Sequence, residues 1–171
     1  VYSRMPIGAL IAGSRFYLDK AIAHGSAPES THLIHHGVQC DRFTTDGPRR
    51  PDGRFVLGLS GRIAPRKQQD FMVRVLGRLR AGGVDARLII AGRPHSSDIS
   101  YYDRLIELIK ELDLGEHVDV RQHLGLDDMP ALYHECDVVV QPSLAEGLGL
   151  AVLEAMAASR PTVVSDTTGL S

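Results

Sequence analysis

Val138-Val139-Val140-Gln141-Pro142-Ser143-Leu144-Ala145-Glu146-Gly147-Leu148-Gly149-Leu150-Ala151-Val152-Leu153-Glu154 runs from a β-branched segment through a glycine turn into an apolar helical stretch. Three consecutive valines suit a strand covered on both faces, as in a parallel sheet. Gly147 and Gly149 let backbone amides approach a ligand closely, ahead of a helix whose N-terminus attracts anions. The same alternation recurs from residue 54 onward, with strands predicted at Phe55 to Leu59, Arg87 to Ala91, His117 to Arg121, Val138 to Gln141 and Thr162 to Ser165. Between them, Tyr102, Leu105, Ile106, Ile109 and Leu112 form one helical stripe. Phe71, Val73, Val75 and Leu76 mark a helix over about 67–81, stopped by Ala81-Gly82-Gly83. Asp127 or Asp128 is placed to cap a helix carrying Met129, Leu132 and Tyr133.

Strands alternating with helices define an α/β fold: a Rossmann-like, doubly wound parallel sheet with ligands at the carboxyl ends of its strands. Residues 1–50 differ. Ile7 to Gly13 and Thr31 to His35 read as strands and Ser14 to His24 as a helix, while Thr44 to Asp52 is polar with two prolines, the composition of a linker. A boundary near residue 50 separates 1–50 from a domain over 51–171.

Composition narrows the function classes. The 171 residues are 43% apolar and 23% charged, enough for one core, and the net charge of −2 provides no field to hold nucleic acid. Uncharged runs such as Met5 to Ser14 are about half of the ~20 residues a membrane helix needs. Cys40 and Cys136 lie far apart with no metal-ligand spacing, so a reducing cytoplasm is the simplest setting. The chain starts at Val1 and carries no secretory signal pattern, which reads as an excised piece.

Two loops after strands carry candidate chemistry. Leu59-Ser60-Gly61-Arg62-Ile63-Ala64-Pro65-Arg66-Lys67 is neither GxGxxG nor a Walker A loop, but it presents Arg62, and Lys67 at the start of a helix, where two cations suit a diphosphate. Lysine is otherwise scarce, at Lys20 and Lys110 only. In the second loop, Glu146 and Glu154 would stand about 12 Å apart on a continuous helix, too far to share an ion but suited to the two ends of an elongated ligand. Structural readings stand beside these: a solvated basic loop for the first, a Ser143-x-x-Glu146 capping box for Glu146, and a half-buried helix position for Glu154. The histidines, including the adjacent His35 and His36, are assigned no role, because neighbours in a strand point to opposite faces. Cys136 reads as a small buried residue.

The ordered set Gly61-Arg62, Lys67, Ala91-Gly92, Leu124-Gly125, Asp137, Pro142-Ser143, Glu146-Gly147-Leu148-Gly149-Leu150 and Glu154-Ala155-Met156-Ala157 resembles the C-terminal domain of retaining GT-B glycosyltransferases, family 4 in particular. Glu146 and Glu154 match that family's E-x7-E motif. Ala9 to Ser14, and His36-Gly37-Val38 with Phe43, resemble the end of its N-terminal domain. The resemblance implies the donor half of a GT-B enzyme, incomplete at both ends and inactive alone. Arg62 and Lys67 would meet the diphosphate of a nucleotide sugar. Glu146 would face the sugar and Glu154 the ribose. Backbone from Gly147 through Leu148 and Gly149 to Leu150 would cradle sugar and phosphate, with Gly61 beside it and Arg93 and Gln122 to Gly125, including Leu124, near the base. It also implies no cofactor and no metal, consistent with the lack of an Asp-x-Asp. An acceptor glycan, lipid or small molecule would be held by the N-terminal domain, and peripheral attachment at the inner face of the membrane fits such acceptors. Gln68, Leu148 and His36 depart from the family's usual glycine, aromatic and asparagine. A Rossmann-like module without transferase activity, with Arg93 on a 2′-phosphate, and a GT-B epimerase or phosphorylase remain as alternatives.

Overall fold

The computed structural model describes residues 8–44 and 53–170. The chain opens with β1 (Leu10–Ala12), α1 (Arg15–Ala23) and β2 (Thr31–Leu33), the two strands pairing in parallel, and then the short helix α2 (Cys40–Phe43). Ser14 caps α1, its Oγ accepting from Tyr17 N at 3.4 Å. Of the first predicted strand, Ile7 lies outside the described residues. The second stops at Leu33, two residues short of His35.

The larger unit runs β3 (Phe55–Ser60), α3 (Gln69–Ala81), β4 (Ala86–Ala91), α4 (Ile99–Glu111), β5 (Val118–Arg121), α5 (Met129–Glu135), β6 (Val138–Gln141), α6 (Leu150–Ala157) and β7 (Thr162–Val164). All five strands are parallel, in the order β5-β4-β3-β6-β7. Side chains of a strand alternate between faces, so β3 and β4 feed two cores. Leu57, Leu59, Leu88 and Ile90 pack with Met72, Leu76, Leu105 and Ile109 of α3 and α4. Val56, Ile89 and Ala91 pack with Leu132, Tyr133, Ala155 and Ala158 on the other face. Helices therefore cover both faces, as the continuous valine run requires. Gly58 in mid-β3 is a spacing requirement, since a Cβ there would overlap Cys136 Sγ. Burial pushes that thiol up to about 12.

The boundary near residue 50 falls in 45–52, outside the described residues. Phe43, ahead of it, is buried in the second core with its ring 5.9 Å from that of Tyr133. Among the described residues no helix is long and apolar enough to cross a membrane.

Two local expectations are corrected. Asp128 does not cap α5 through its side chain. Its carboxylate accepts from Gly125 N at 2.7 Å, closing a 3-10 turn over Leu126–Asp128 that leads into the helix. Lys67 does not start a helix either: it ends a 3-10 turn, Pro65–Lys67, and Gln68 takes a left-handed conformation (φ 57, ψ 40) before α3 begins at Gln69. A non-glycine residue there costs about 1–2 kcal/mol of backbone strain. Gln68→Gly should therefore raise stability by about 0.5–1 kcal/mol, net of its exposed bond from Nε2 to Pro65 O. Urea denaturation measures this, and a loss of stability contradicts the strain argument.

Candidate functional site

The winding of the sheet reverses beside β3. The chain proceeds outward through β4 and β5, then returns to lay β6 and β7 on the other side. Ligands of open α/β sheets bind at such a switch point, outside the carboxyl ends of the strands. A cavity of about 550 Å³ opens there. The end of β3 contributes Ser60, Gly61 and Lys67, and the end of β4 contributes Ala91, Gly92 and Arg93. Gln122, Leu124 and Leu126 follow β5, while Gln141 ends β6 and Glu146 to Ala151 and Glu154 follow it.

The loops after β3 and β4 are joined by backbone hydrogen bonds, Gly61 N to Ala91 O at 2.8 Å and Ile63 N to Arg93 O at 3.0 Å. Gln69, fully buried, braces the first loop by donating from Nε2 to Arg62 O at 2.9 Å. The loop after β6 is tied across to it, with Leu144 N donating to Arg66 O at 2.8 Å and Arg66 donating to Ala145 O at 3.1 Å.

These ties bring Lys67 and Glu146 together. Each is only 8% exposed. Lys67 Nζ donates to Glu146 Oε1, Ser143 Oγ donates to the same oxygen at 2.7 Å, and the Arg66 guanidinium lies 3.8 Å from Oε2. Burial is the largest influence on this carboxyl and acts to raise its pKa. The bonds from Lys67 and Ser143 and the charges of Lys67 and Arg66 outweigh it and hold the group below its ordinary value. The Ser143–Glu146 contact is thus real but caps no helix, because α6 starts at Leu150. For the same reason the 12 Å spacing on a continuous helix does not apply.

Glu154 is held from α5. Tyr133 OH donates to Glu154 Oε2 at 2.7 Å and lies 2.9 Å from Ser60 Oγ, so one hydroxyl links the end of β3 to α6. Burial, then the neighbouring Glu154 charge, keep that phenol protonated far above neutral pH, and the bond to Ser60 opposes them only in part. Tyr133→Phe should cost about 1–2 kcal/mol, because Glu154 and Ser60 both lose a partner. Chemical denaturation reads the loss, and an unchanged midpoint contradicts it.

The cavity brings together Gly61, Lys67, Arg93, Leu124, Glu146, Gly147, Leu148, Gly149, Leu150 and Glu154 of the expected residues. Arg62 and Gly125 are not in its wall. The Arg62 side chain is exposed, next in sequence to the cavity-lining Gly61, and Gly125 is engaged in the turn closed by Asp128. Gly13, Tyr17, His36, Ser60, Gln141 and Met129 also line it and were not expected. His35 and His36 follow β2 rather than lying in it, so the opposite-faces argument fails. Both reach Gly13: His35 Nδ1 lies 3.0 Å from its carbonyl, and a Cβ at Gly13 would sit 2.8 Å from His36 Nε2. Among the described residues no group of three or more His, Cys, Asp or Glu is placed to hold a metal ion.

A parallel sheet with a glycine-lined crevice at its switch point is the α/β architecture found in GT-B glycosyltransferase structures. Residues 42–171 match the family model described as Glycosyl transferases group 1, and the chain belongs to that family. The D-inositol 3-phosphate glycosyltransferase of Mycobacterium sp. (strain KMS) is 32% identical over 156 residues, covering 86% of this chain and 34% of that one. The chain thus spans about a third of the length of the curated relatives it matches. Among solved structures, Anabaena Alr3699/HepE in complex with UDP and glucose superposes with a TM-score of 0.85 at 25% identity, covering 95% of this chain and 45% of that one. The C-terminal domain of LpcC, a group 1 family glycosyl transferase from Francisella tularensis, gives a TM-score of 0.68 at 25% identity, covering 78% of this chain and 72% of that one.

Proposed function

We propose that this chain is the donor-binding part of a retaining, family 4 glycosyltransferase, and that its cavity takes a nucleoside-diphosphate sugar. The observation that carries this is one crevice joining the Lys67–Glu146 pair to the Tyr133-held Glu154 at the carboxyl ends of parallel strands. An elongated ligand with an anionic middle fits that arrangement. Lys67 and the amide end of α6 meet the diphosphate, Glu146 accepts from sugar hydroxyls, and Glu154 accepts from the ribose. Arg93 and the loop through Leu124 flank the base.

Lys67 and Glu146 neutralise each other, so the positive charge that attracts the diphosphate comes from Arg66 beside the pair, from Arg93 in the cavity wall and from the exposed Arg62 that follows Gly61. As the sugar leaves, negative charge grows on the nucleoside diphosphate. Prepositioned Lys67 and the positive end of α6 stabilise it without reorganisation, the role a metal plays elsewhere. Transfer to an acceptor, with retention, belongs to the whole enzyme, and the match of Glu146 and Glu154 to the E-x7-E pattern supports it. HepE, solved with UDP and glucose, makes uridine the first base to try.

Isothermal titration with UDP, GDP and ADP, free and as sugar conjugates, with EDTA present, tests the reading. One nucleotide should bind, and its affinity should fall at least tenfold in Arg62→Ala, through loss of a positive charge beside the glycine loop, without a change in melting temperature. No heat from any of the six ligands rejects the donor site, and binding only after divalent metal is restored rejects metal independence. NADPH binding would favour the dinucleotide alternative.

A further inference from the structure

We infer that Gln141 recognises the transferred sugar, its side-chain oxygen accepting a hydrogen bond from one sugar hydroxyl. The inference rests on the donor-site reading above. Gln141 ends β6, is 1% exposed and lines the cavity. Its Nε2 donates to Ser143 Oγ at 2.8 Å and to Glu146 Oε1 at 3.2 Å. A carboxylate only accepts, and the Ser143 proton is already given to Glu146. The side of the amide turned to them must therefore be the NH2 group, and its orientation is fixed by chemistry.

That orientation leaves Oε1 buried without a hydrogen-bond partner among the described residues. Buried polar atoms are paired in the great majority of cases, and an exception in a cavity wall points to a partner that arrives with the ligand. The partner must bring an O–H or N–H. A diphosphate offers only acceptors at neutral pH, whereas a sugar is a ring of hydroxyl donors. Gln141 also stands one hydrogen bond from Glu146, at the end of the cavity where the sugar is placed. The strand-end position is otherwise suited to an apolar residue like the three valines before it, so an amide here selects for a hydroxyl of matching position.

The test compares the intact chain with Gln141→Met, which keeps the side-chain length and removes both amide groups. The probes are UDP, UDP-glucose and UDP-glucose analogues with single hydroxyls replaced by fluorine, which cannot donate. If guanine is the preferred base, GDP and GDP-mannose with its fluoro analogues take their place. Gln141→Met should bind the free nucleotide within about twofold of the original and the sugar conjugate about tenfold more weakly. One fluoro analogue should show that tenfold loss against the original chain and no further loss against the variant. Equal weakening of nucleotide and conjugate, an unchanged affinity for the conjugate, or indifference to every fluoro analogue overturns the role. If Gln141→Met does not fold, Gln141→Leu carries the same comparison, because only a loss absent from a Gln141 variant separates this oxygen from the neighbouring Glu146 carboxylate. Failure of every nucleotide to bind is a different result, and rejects the donor site itself.

Discussion

Lys67→Ala should lower stability by about 3 kcal/mol and abolish nucleotide binding. Removing the lysine leaves a carboxylate that is 8% exposed, with only the exposed Arg66 guanidinium, 3.8 Å away, to offset its charge. The pair itself contributes little net stability, because desolvating two ions cancels most of their attraction. Lys67→Met combined with Glu146→Gln should accordingly recover most of the lost stability while still failing to bind. Urea denaturation and titration calorimetry on the two variants separate these effects, and a double variant no more stable than Lys67→Ala contradicts the argument. The same pair sets an acid limb. The native Glu146 carboxyl keeps its charge to lower pH than in the unfolded chain, so the unfolded state binds the extra proton as pH falls. The stabilisation is complete above the ordinary glutamate range near ~4.3 and is lost as pH drops through the lowered native value. Melting temperatures between about pH 3 and 7 should therefore fall less steeply in Glu146→Gln than in the original chain.

Gly92→Ala should be the other severe substitution, costing about 3 kcal/mol and displacing the cavity rim. Gly92 sits at φ 149, and a Cβ there would overlap the carbonyl of Gly61 across the loop pair. The obstacle is backbone, so no side chain can rotate away. Gly83 makes the control, with φ 86 but nothing within 4 Å of an added Cβ. Gly83→Ala should cost only the conformational strain, about 1–2 kcal/mol. Matching losses in the two variants, by chemical denaturation, would falsify the steric account of Gly92.

The periodicity of short apolar runs was enough to place all five strands of the larger sheet: β3, β4 and β6 are largely buried and leave near-continuous apolar runs, while the edge strands β5 and β7 are only partly covered and show through their β-branched residues. Strand-end loops then gave Lys67, Glu146 and Glu154, since a parallel sheet leaves little else at its ligand edge. What spacing could not convey was who holds them. Ser143-x-x-Glu146 has the pattern of a capping box, and the hydroxyl–carboxylate contact exists, but the next turn is irregular and the carboxylate serves a lysine 79 positions away instead. Tyr133 reads as one more apolar position on α5, while its hydroxyl reaches two other elements. Gln141 ends a valine run and carries no pattern of its own. A polar residue closing an otherwise apolar strand was the available signal.

The residues after β7 give the glutamate loop its shape. Thr168 Oγ1 accepts from Glu146 N at 2.7 Å and donates to Glu146 O at 2.8 Å, Thr167 Oγ1 donates to Leu144 O at 2.9 Å, and Ser165 Oγ donates to Ser143 O. A polypeptide clipped after Val164 would still contain every side chain of the cavity wall, and would pass any inventory of motifs. It would nonetheless have lost the clasp that sets the pose of Glu146, so the shortest piece worth expressing extends past Thr168.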